Sequence, residues 1–374
     1  MKRNIVIVIS AIVLAFSAGC GKTSEPQSSG SEPPAASACE PAVTPEITET
    51  PEKPFRFTAA EFDFTVEKVC EGEITGYKAF MERALNTGII IPALPENFVP
   101  QGIDYWDEAD VFFITGYFNP ADKCSQSVLL AVDKTSGDYV GEWFLYEKSG
   151  KAHTGHDGGI AVTETQLYLS TSRTLFRISL DAVKATGGSG KLTFEEEISV
   201  PVRASYCNYS AGTLWVGEFS LEGNATYTIE GHDYGKNHAW TLGYKVCEDG
   251  RITEKPYCVV STPEKVQGFT VLEDGRIFMT TSWGRATDSG LYISKITLSE
   301  GLTEDSADVS GDSVPVYDFT GSLKRITAMP MAEGVCSVGS DVYMIFESGA
   351  YYYRDYTENK SVNPTDCIWK YTTE

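Results

Sequence analysis

From residue 88 onward, apolar and polar positions alternate in short runs that recur in sets. Four stretches share a glycine followed by such a run: "VPQGIDYW" at 99, "KAHTGHDGGIAV" at 151, "KVQGFTVL" at 265 and "MAEGVCSV" at 331. A second apolar run starts shortly after each, as "VFFITGY" (111), "LYLSTS" (167), "IFMTTSW" (277) and "VYMIFES" (342). Turn-forming residues separate the two, as in Glu273-Asp274-Gly275, which is hairpin chemistry. A fifth copy, "SYCNYSAGTLWVGEF" at 205, has the same layout with Tyr206 in the place of the glycine. The alignment positions 102, 159, 206, 268 and 334 are 57, 47, 62 and 66 residues apart.

A third run follows in every copy ("SVLLAVD", "TLFRISL", "WTLGYKV", "LYISKIT", "IWKYT"). A fourth is visible in four copies: "YVGEWFLY" (139), "TFEEEISVP" (193), "ITEKPYCVV" (252) and "VPVYDF" (314). Four short strands per unit, repeated in this way, predict an all-β fold: a β-propeller of five four-stranded blades. The fifth copy runs out of chain before its outer strand. "GIIIPAL" at 88 would supply it, so that the N- and C-terminal strands close the ring and leave no open edge. A sixth blade would have to hide in residues 55–86, where "YKAFMERALN" at 77 reads as a short helix instead.

The segment before the repeats changes the picture of where the domain sits. Met1-Lys2-Arg3 and the apolar run from Ile5 to Phe16 have the charged and apolar regions of an export signal. The run ends in Ser17-Ala18-Gly19-Cys20, which resembles the lipobox of bacterial lipoproteins. That resemblance implies cleavage after residue 19 and lipidation of Cys20. Residues 20–54 are rich in Ser, Pro, Glu and Ala and read as a disordered tether, reaching roughly 30 Å as a coil. The expected organisation is therefore signal 1–19, tether 20–54, an N-terminal extension with a short helix over 55–87, and the propeller over 88–374. The protein is expected outside a bacterial cell membrane, held by its lipid alone.

Net charge is −22, which disfavours nucleic acid and anionic headgroups as partners. Eight cysteines besides Cys20 permit disulfides without choosing a pairing, and their spacing fits no zinc module. No GxSxG, HExxH or phosphate-loop signature occurs. Glu218, Glu333 and Glu347 are taken to lie in different blades, so no glycosidase pair of carboxyls is identifiable.

In a propeller the first strand of each blade lines the channel. The turn entering it shares a face with the loop joining strands two and three. This places Gln101, His156, Asp157, Ser205, Tyr206, Asn208, Gln267 and Glu333 at the channel mouth. The glycines relieve crowding there. The oxygen-bearing residues could hold Ca²⁺, with Glu333 and Asp157 as ligands, or bind water or a polar ligand. His156 is a candidate acid or base, and His153 is assigned to the loop. Long second-to-third loops bring Tyr227, Tyr234, Trp283, Arg285, Tyr351, Tyr352, Tyr353, Arg354 and Tyr356 to the same rim, which suits sugars, peptides or another protein.

At "QGIDY", "GGIAV", "LWVGEF", "VQGFTV", "SWGR" and "PMAEGV" the chain resembles a family of uncharacterised secreted bacterial propeller proteins, over roughly residues 97–371. That likeness implies the fold and no activity. Glu333-Gly334, with Asn208 as a second ligand, is similar to the calcium site of lactonase-type propellers, although the blade count and Gln101 and Gln267 depart from that pattern. Two readings follow: a lipid-anchored module binding an extracellular small molecule, glycan or protein on its aromatic face, or a calcium-dependent hydrolase acting at the same mouth.

Overall fold

The computed structural model describes residues 55–119, 126–221, 239–356 and 358–373. Cys20, the tether, Tyr227 and Tyr234 lie outside the described residues, and so does the side chain of Tyr356.

Five sheets form the five blades of a propeller. Their inner strands are Phe98–Trp106, Gly159–Val162, Tyr206–Ser210, Val266–Val271 and Ala332–Val338, here blades 1 to 5. Both faces of each blade are buried between neighbours, which is why strands such as "VFFITGY" are apolar without a polar alternate. Phe112 and Ile114 pack toward blade 5, while Val111 and Phe113 pack toward blade 2. Each of the five interfaces between blades holds one apolar cluster.

The N-terminal strand Ala84–Ile90 pairs antiparallel with the C-terminal strand Cys367–Thr372, so the two ends of the chain complete blade 5. This strand begins four residues ahead of "GIIIPAL", and the helix before it is a single turn, Lys78–Met81. Phe80 anchors that turn against Phe278 and Tyr371, in the interface of blades 4 and 5. The preceding segment crosses several blades. Thr58 N donates to Gly187 O, Asp63 N and Phe64 N to the Glu142 carboxylate, and Val69 N and Cys70 N to Asp366 Oδ2.

One strand differs from expectation. "VPVYDF" belongs to Asp312–Asp318, which pairs in parallel with Cys258–Thr262, the fourth strand of blade 3. The outer strand of blade 4 is instead Leu323–Ala328, antiparallel to Ser289–Thr297. The hairpin Leu302–Val309 with Asp312–Asp318 is thus an insertion that covers the edge of the preceding blade, giving that sheet six strands. Ser189–Thr193 does the same for blade 1, pairing in parallel with Tyr139–Tyr146.

Glycines set the diameter of the ring. A Cβ on Gly334 would lie 2.6 Å from Gln101 O, one on Gly102 would lie 2.9 Å from Gly159 C, and one on Gly159 would lie 2.0 Å from Cys207 N. Inner strands of neighbouring blades therefore touch backbone to backbone at this level. Blade 3 solves the same problem in reverse. Tyr206 replaces the glycine, its partner across the hairpin is Gly217, and the tyrosine ring fills the place of the missing Gly217 side chain.

The described cysteines, including Cys70, Cys247 and Cys367, are thiols, and no described helix is long and apolar enough to cross a membrane.

Candidate functional site: the channel mouth

Each inner strand is entered through a left-handed residue other than glycine: Asn97 (φ 72°), Asp157 (47°), Ala204 (53°), Lys265 (65°) and Met331 (69°). In blades 1, 4 and 5 the strand then carries a bulge. Pro100 and Gly102 pair with successive residues of the second strand and leave Gln101 extra; Gln267 is extra in the same way, and the shift between Ala332 and Val335 spans Glu333. A bulge re-aims a side chain, and these three side chains line one cavity. Blade 3 pairs in register from Tyr206 to Ser210, so Tyr206 turns into the core, its hydroxyl 2.7 Å from Thr241 Oγ1. Tyr206 is accordingly not at the mouth. Asn208 is buried on the inner strand of blade 3, with neither amide atom bonded to a described residue.

The cavity is about 370 Å³. Its floor is a pair of carboxyls, Glu333 and Glu347, both in blade 5, not in different blades as the sequence suggested. Neighbouring blades grip them from either side. Gln267 Nε2 of blade 4 donates to Glu333 Oε1 at 2.9 Å, and Gln101 Nε2 of blade 1 donates to Glu347 Oε2 at 3.0 Å. Thr280 Oγ1 donates to Glu333 O at 2.6 Å and fixes the bulge. Burial, reinforced by the charge of Glu347, raises the pKa of Glu333 well above the carboxylate range. Glu347 is raised to about 7, by desolvation first, against the lowering pull of the Gln101 bond and Arg285.

Aromatic rings make the walls. Trp283 is 54 % exposed and stands 5.7 Å from Phe219. Tyr117 lies 4.4 Å from the His156 ring, with its hydroxyl 3.4 Å from that of Tyr353. Arg285 stacks over Tyr353 at 4.7 Å and over Tyr352 at 5.1 Å, and donates to Asn359 O. Desolvation lowers the pKa of His156, against the opposing charge of Asp157, which favours its neutral form.

Gln101, His156, Gln267, Glu333, Trp283, Arg285 and Tyr353 thus meet in one cavity. Asp157 does not join them. Its carboxylate is fully buried and bonds His153 Nε2 at 2.9 Å, so the histidine assigned to the loop is its structural partner. Arg354 pairs with Asp355, and Tyr351 does not line the cavity. Among the described residues no group of three or more His, Cys, Asp or Glu side chains converges as a metal would require. Sequence reasoning passed over Tyr117 and set Glu347 aside as a carboxyl of another blade, although the end of a second strand is where the chain leaves for the mouth.

Deeper in the channel Asp104 of blade 1 is buried, and it accepts hydrogen bonds from Tyr105 N (2.9 Å), Val162 N of blade 2 (2.7 Å) and the amide of Tyr209 in blade 3. Burial still raises its pKa to about 7.

A pH dependence follows. Asp104, Glu333 and Glu347 have folded pKa values above their unfolded ones, so folding takes up protons between the two values. The stability they contribute is complete near pH 4 and is lost as pH rises through about 7. Thermal midpoints are expected to be higher at pH 6 than at pH 8. Glu347→Gln should raise the midpoint at pH 8 by about 2–4 °C and lose that advantage near pH 5. An equal effect at both pH values would contradict the assignment.

No protein-family model matches the chain, and no curated protein matches it significantly in sequence. Among solved structures, similarity extends to the glutaminyl cyclase of Myxococcus xanthus, at 14 % identity over 67 % of this chain and 86 % of that one, with a TM-score of 0.35. It extends to the aldose sugar dehydrogenase of Streptomyces coelicolor in its PQQ-bound form, at 12 % over 83 % and 97 %, TM-score 0.38. A candidate 6-phosphogluconolactonase from Bacteroides uniformis matches at 12 % over 63 % and 62 %, TM-score 0.34. At these values none bears on the chemistry of this chain.

Proposed function

We propose that the protein is a binding module that takes a small saccharide at the channel mouth, displayed outside the cell through lipidated Cys20. The observation that carries this reading is the composition of the cavity. An exposed tryptophan faces a floor of two carboxyls, each held by a glutamine amide, with tyrosine hydroxyls and an imidazole at the sides. Flat aromatic faces take the C–H faces of a sugar, and planar carboxyl and amide groups take its hydroxyls in pairs. The cavity volume suits a group the size of a small ligand.

The test is titration with disaccharides, read by tryptophan fluorescence and calorimetry. Trp283→Ala is expected to weaken binding about tenfold or more, a loss of about 1.4 kcal/mol, with the unfolding midpoint unchanged because the ring is largely exposed. Unaltered affinity in this variant would remove the mouth from consideration.

A second reading, hydrolysis of the bound saccharide, is favoured by one feature. Glu347, held up to about 7, keeps a protonated fraction at neutrality beside a second carboxyl. Chromatography of the same titration mixtures after prolonged incubation would show cleaved sugar, absent in Glu347→Gln, if this reading holds.

A further inference from the structure

The cavity over the two glutamates opens into a second lobe of about 480 Å³, which shares Gln101, His156 and Gln267 with it. The second lobe has the opposite character. Among the described residues no carboxylate lines it, while Arg173 and Arg203 do, in a chain of net charge −22. Both arginines are exposed and both are positioned by backbone. Ser172 and Arg173 form the left-handed corner of the blade 2 hairpin (φ 49° and 65°), and Arg203 directly precedes the left-handed Ala204 at the entry to blade 3. Arg173 N donates to Arg203 O at 2.9 Å, which ties the two corners together, and Arg173 Nη1 donates to Pro201 O at 2.8 Å. Thr171 and Ser205 add hydroxyl-bearing side chains to the same wall. The charged groups beside this lobe include Glu218, which is fully buried and accepts from Arg203 N at 3.4 Å, the buried Asp157 held by His153, and the titratable His156 on the shared wall.

We infer that the ligand is an acidic saccharide, whose anionic group sits in the Arg173–Arg203 lobe while a neighbouring sugar ring lies on Trp283 above the two glutamates. This rests on the saccharide reading above. Two guanidinium groups beside hydroxyls recognise a carboxylate through charge-assisted hydrogen bonds, and they do so with planar geometry that a lysine pair would lack. The neighbouring lobe is walled by aromatic rings and floored by two glutamates, each held by a glutamine amide. Its carboxyls and glutamine amides take uncharged hydroxyls, and its one arginine, Arg285, is stacked on Tyr352 and Tyr353. The site is consequently polar in direction: acid end toward blades 2 and 3, neutral end toward blades 4 and 5.

The experiment is calorimetry with four probes on the full chain: a disaccharide ending in glucuronic acid, the same disaccharide ending in glucose, glucose 6-phosphate, and an acidic tripeptide. The acidic disaccharide is expected to bind at least about tenfold tighter than its neutral counterpart at low salt, and the preference should shrink as ionic strength rises. The Arg203 side chain bonds no described residue, so Arg203→Ser should reduce the preference severalfold without disturbing the fold. Arg173→Ser with Arg203→Ser should abolish it while leaving the neutral disaccharide unchanged. Tighter binding of glucose 6-phosphate than of the uronate would keep the anion lobe and make its ligand a phosphate. Equal binding of acidic and neutral disaccharides, or a preference that survives the double substitution, would overturn the inference and leave the saccharide reading standing. Binding of the tripeptide alone, or of no probe, would overturn both.

Discussion

Gly159→Ala is expected to prevent the propeller from closing. The added Cβ would stand 2.0 Å from Cys207 N and 2.7 Å from Tyr206 C, both backbone atoms of the next blade. A flexible side chain could swing aside, whereas an inner strand cannot move without dragging its whole sheet. The expected loss exceeds about 4 kcal/mol, in the range reserved for severe core disruption, and the variant should be recovered unfolded or aggregated. The control is Gly150→Ala. Unlike Gly159 it sits at a left-handed position (φ 83°), but nothing lies within 4 Å of its Cβ, so only the conformational cost of about 1 kcal/mol should appear. Denaturant unfolding of the two variants separates them. Similar losses would mean that the ring is not in contact at this level.

Asp104→Ala should produce the second large effect. One carboxylate there receives amides from blades 1, 2 and 3, so it acts as a hub inside the channel. Removing it leaves three backbone N–H groups without their acceptor. At about 1–3 kcal/mol for each group left unsatisfied, the loss should reach roughly 3–9 kcal/mol. Asp104→Asn retains one acceptor oxygen and should cost less than half as much. Because Asp104 is raised to about 7, the asparagine variant should also flatten the decline in stability between pH 6 and pH 8. An alanine variant as stable as wild type would show that these bonds are replaceable by water.

Much of this architecture is legible in the pattern of apolar runs. The shared glycines at 102, 159, 268 and 334 mark the level where backbones touch, and Tyr206 can be aligned with them because its hairpin repeats the same spacing. The pairing of "VPVYDF" was not legible. Its alternation matches any outer strand, whereas the true outer strand, "LKRITA" (Leu323–Ala328), carries two exposed charged positions. What decides between them is the hairpin turn at Ser310 and Gly311, which folds "VPVYDF" back on Leu302–Val309 and onto the blade before.

The site was half legible for a similar reason. The sequence located Gln101, Gln267 and Glu333 beside the glycines, but their direction depends on bulges, which are a property of two strands in register and not of one. Tyr206 occupies the aligned position without a bulge and therefore faces the core. Asp157 was placed beside His156 by adjacency, yet its left-handed backbone turns the carboxylate to His153. Glu333 and Glu347 stand in the two runs of one copy, "MAEGVCSV" and "VYMIFES", so their shared blade was legible; that the bulge after Ala332 aims Glu333 into the same cavity was not.

The measurement that tests the central claim most directly is a crystal structure of the chain with a disaccharide bound, using the glucuronic-acid-terminated compound and its neutral counterpart. The account predicts a sugar ring against Trp283, with hydroxyls within hydrogen-bonding distance of Glu333, Glu347 and the amides of Gln101 and Gln267. Density for the sugar elsewhere, with the mouth unaltered and the two glutamates still bonded to their glutamines, would contradict it.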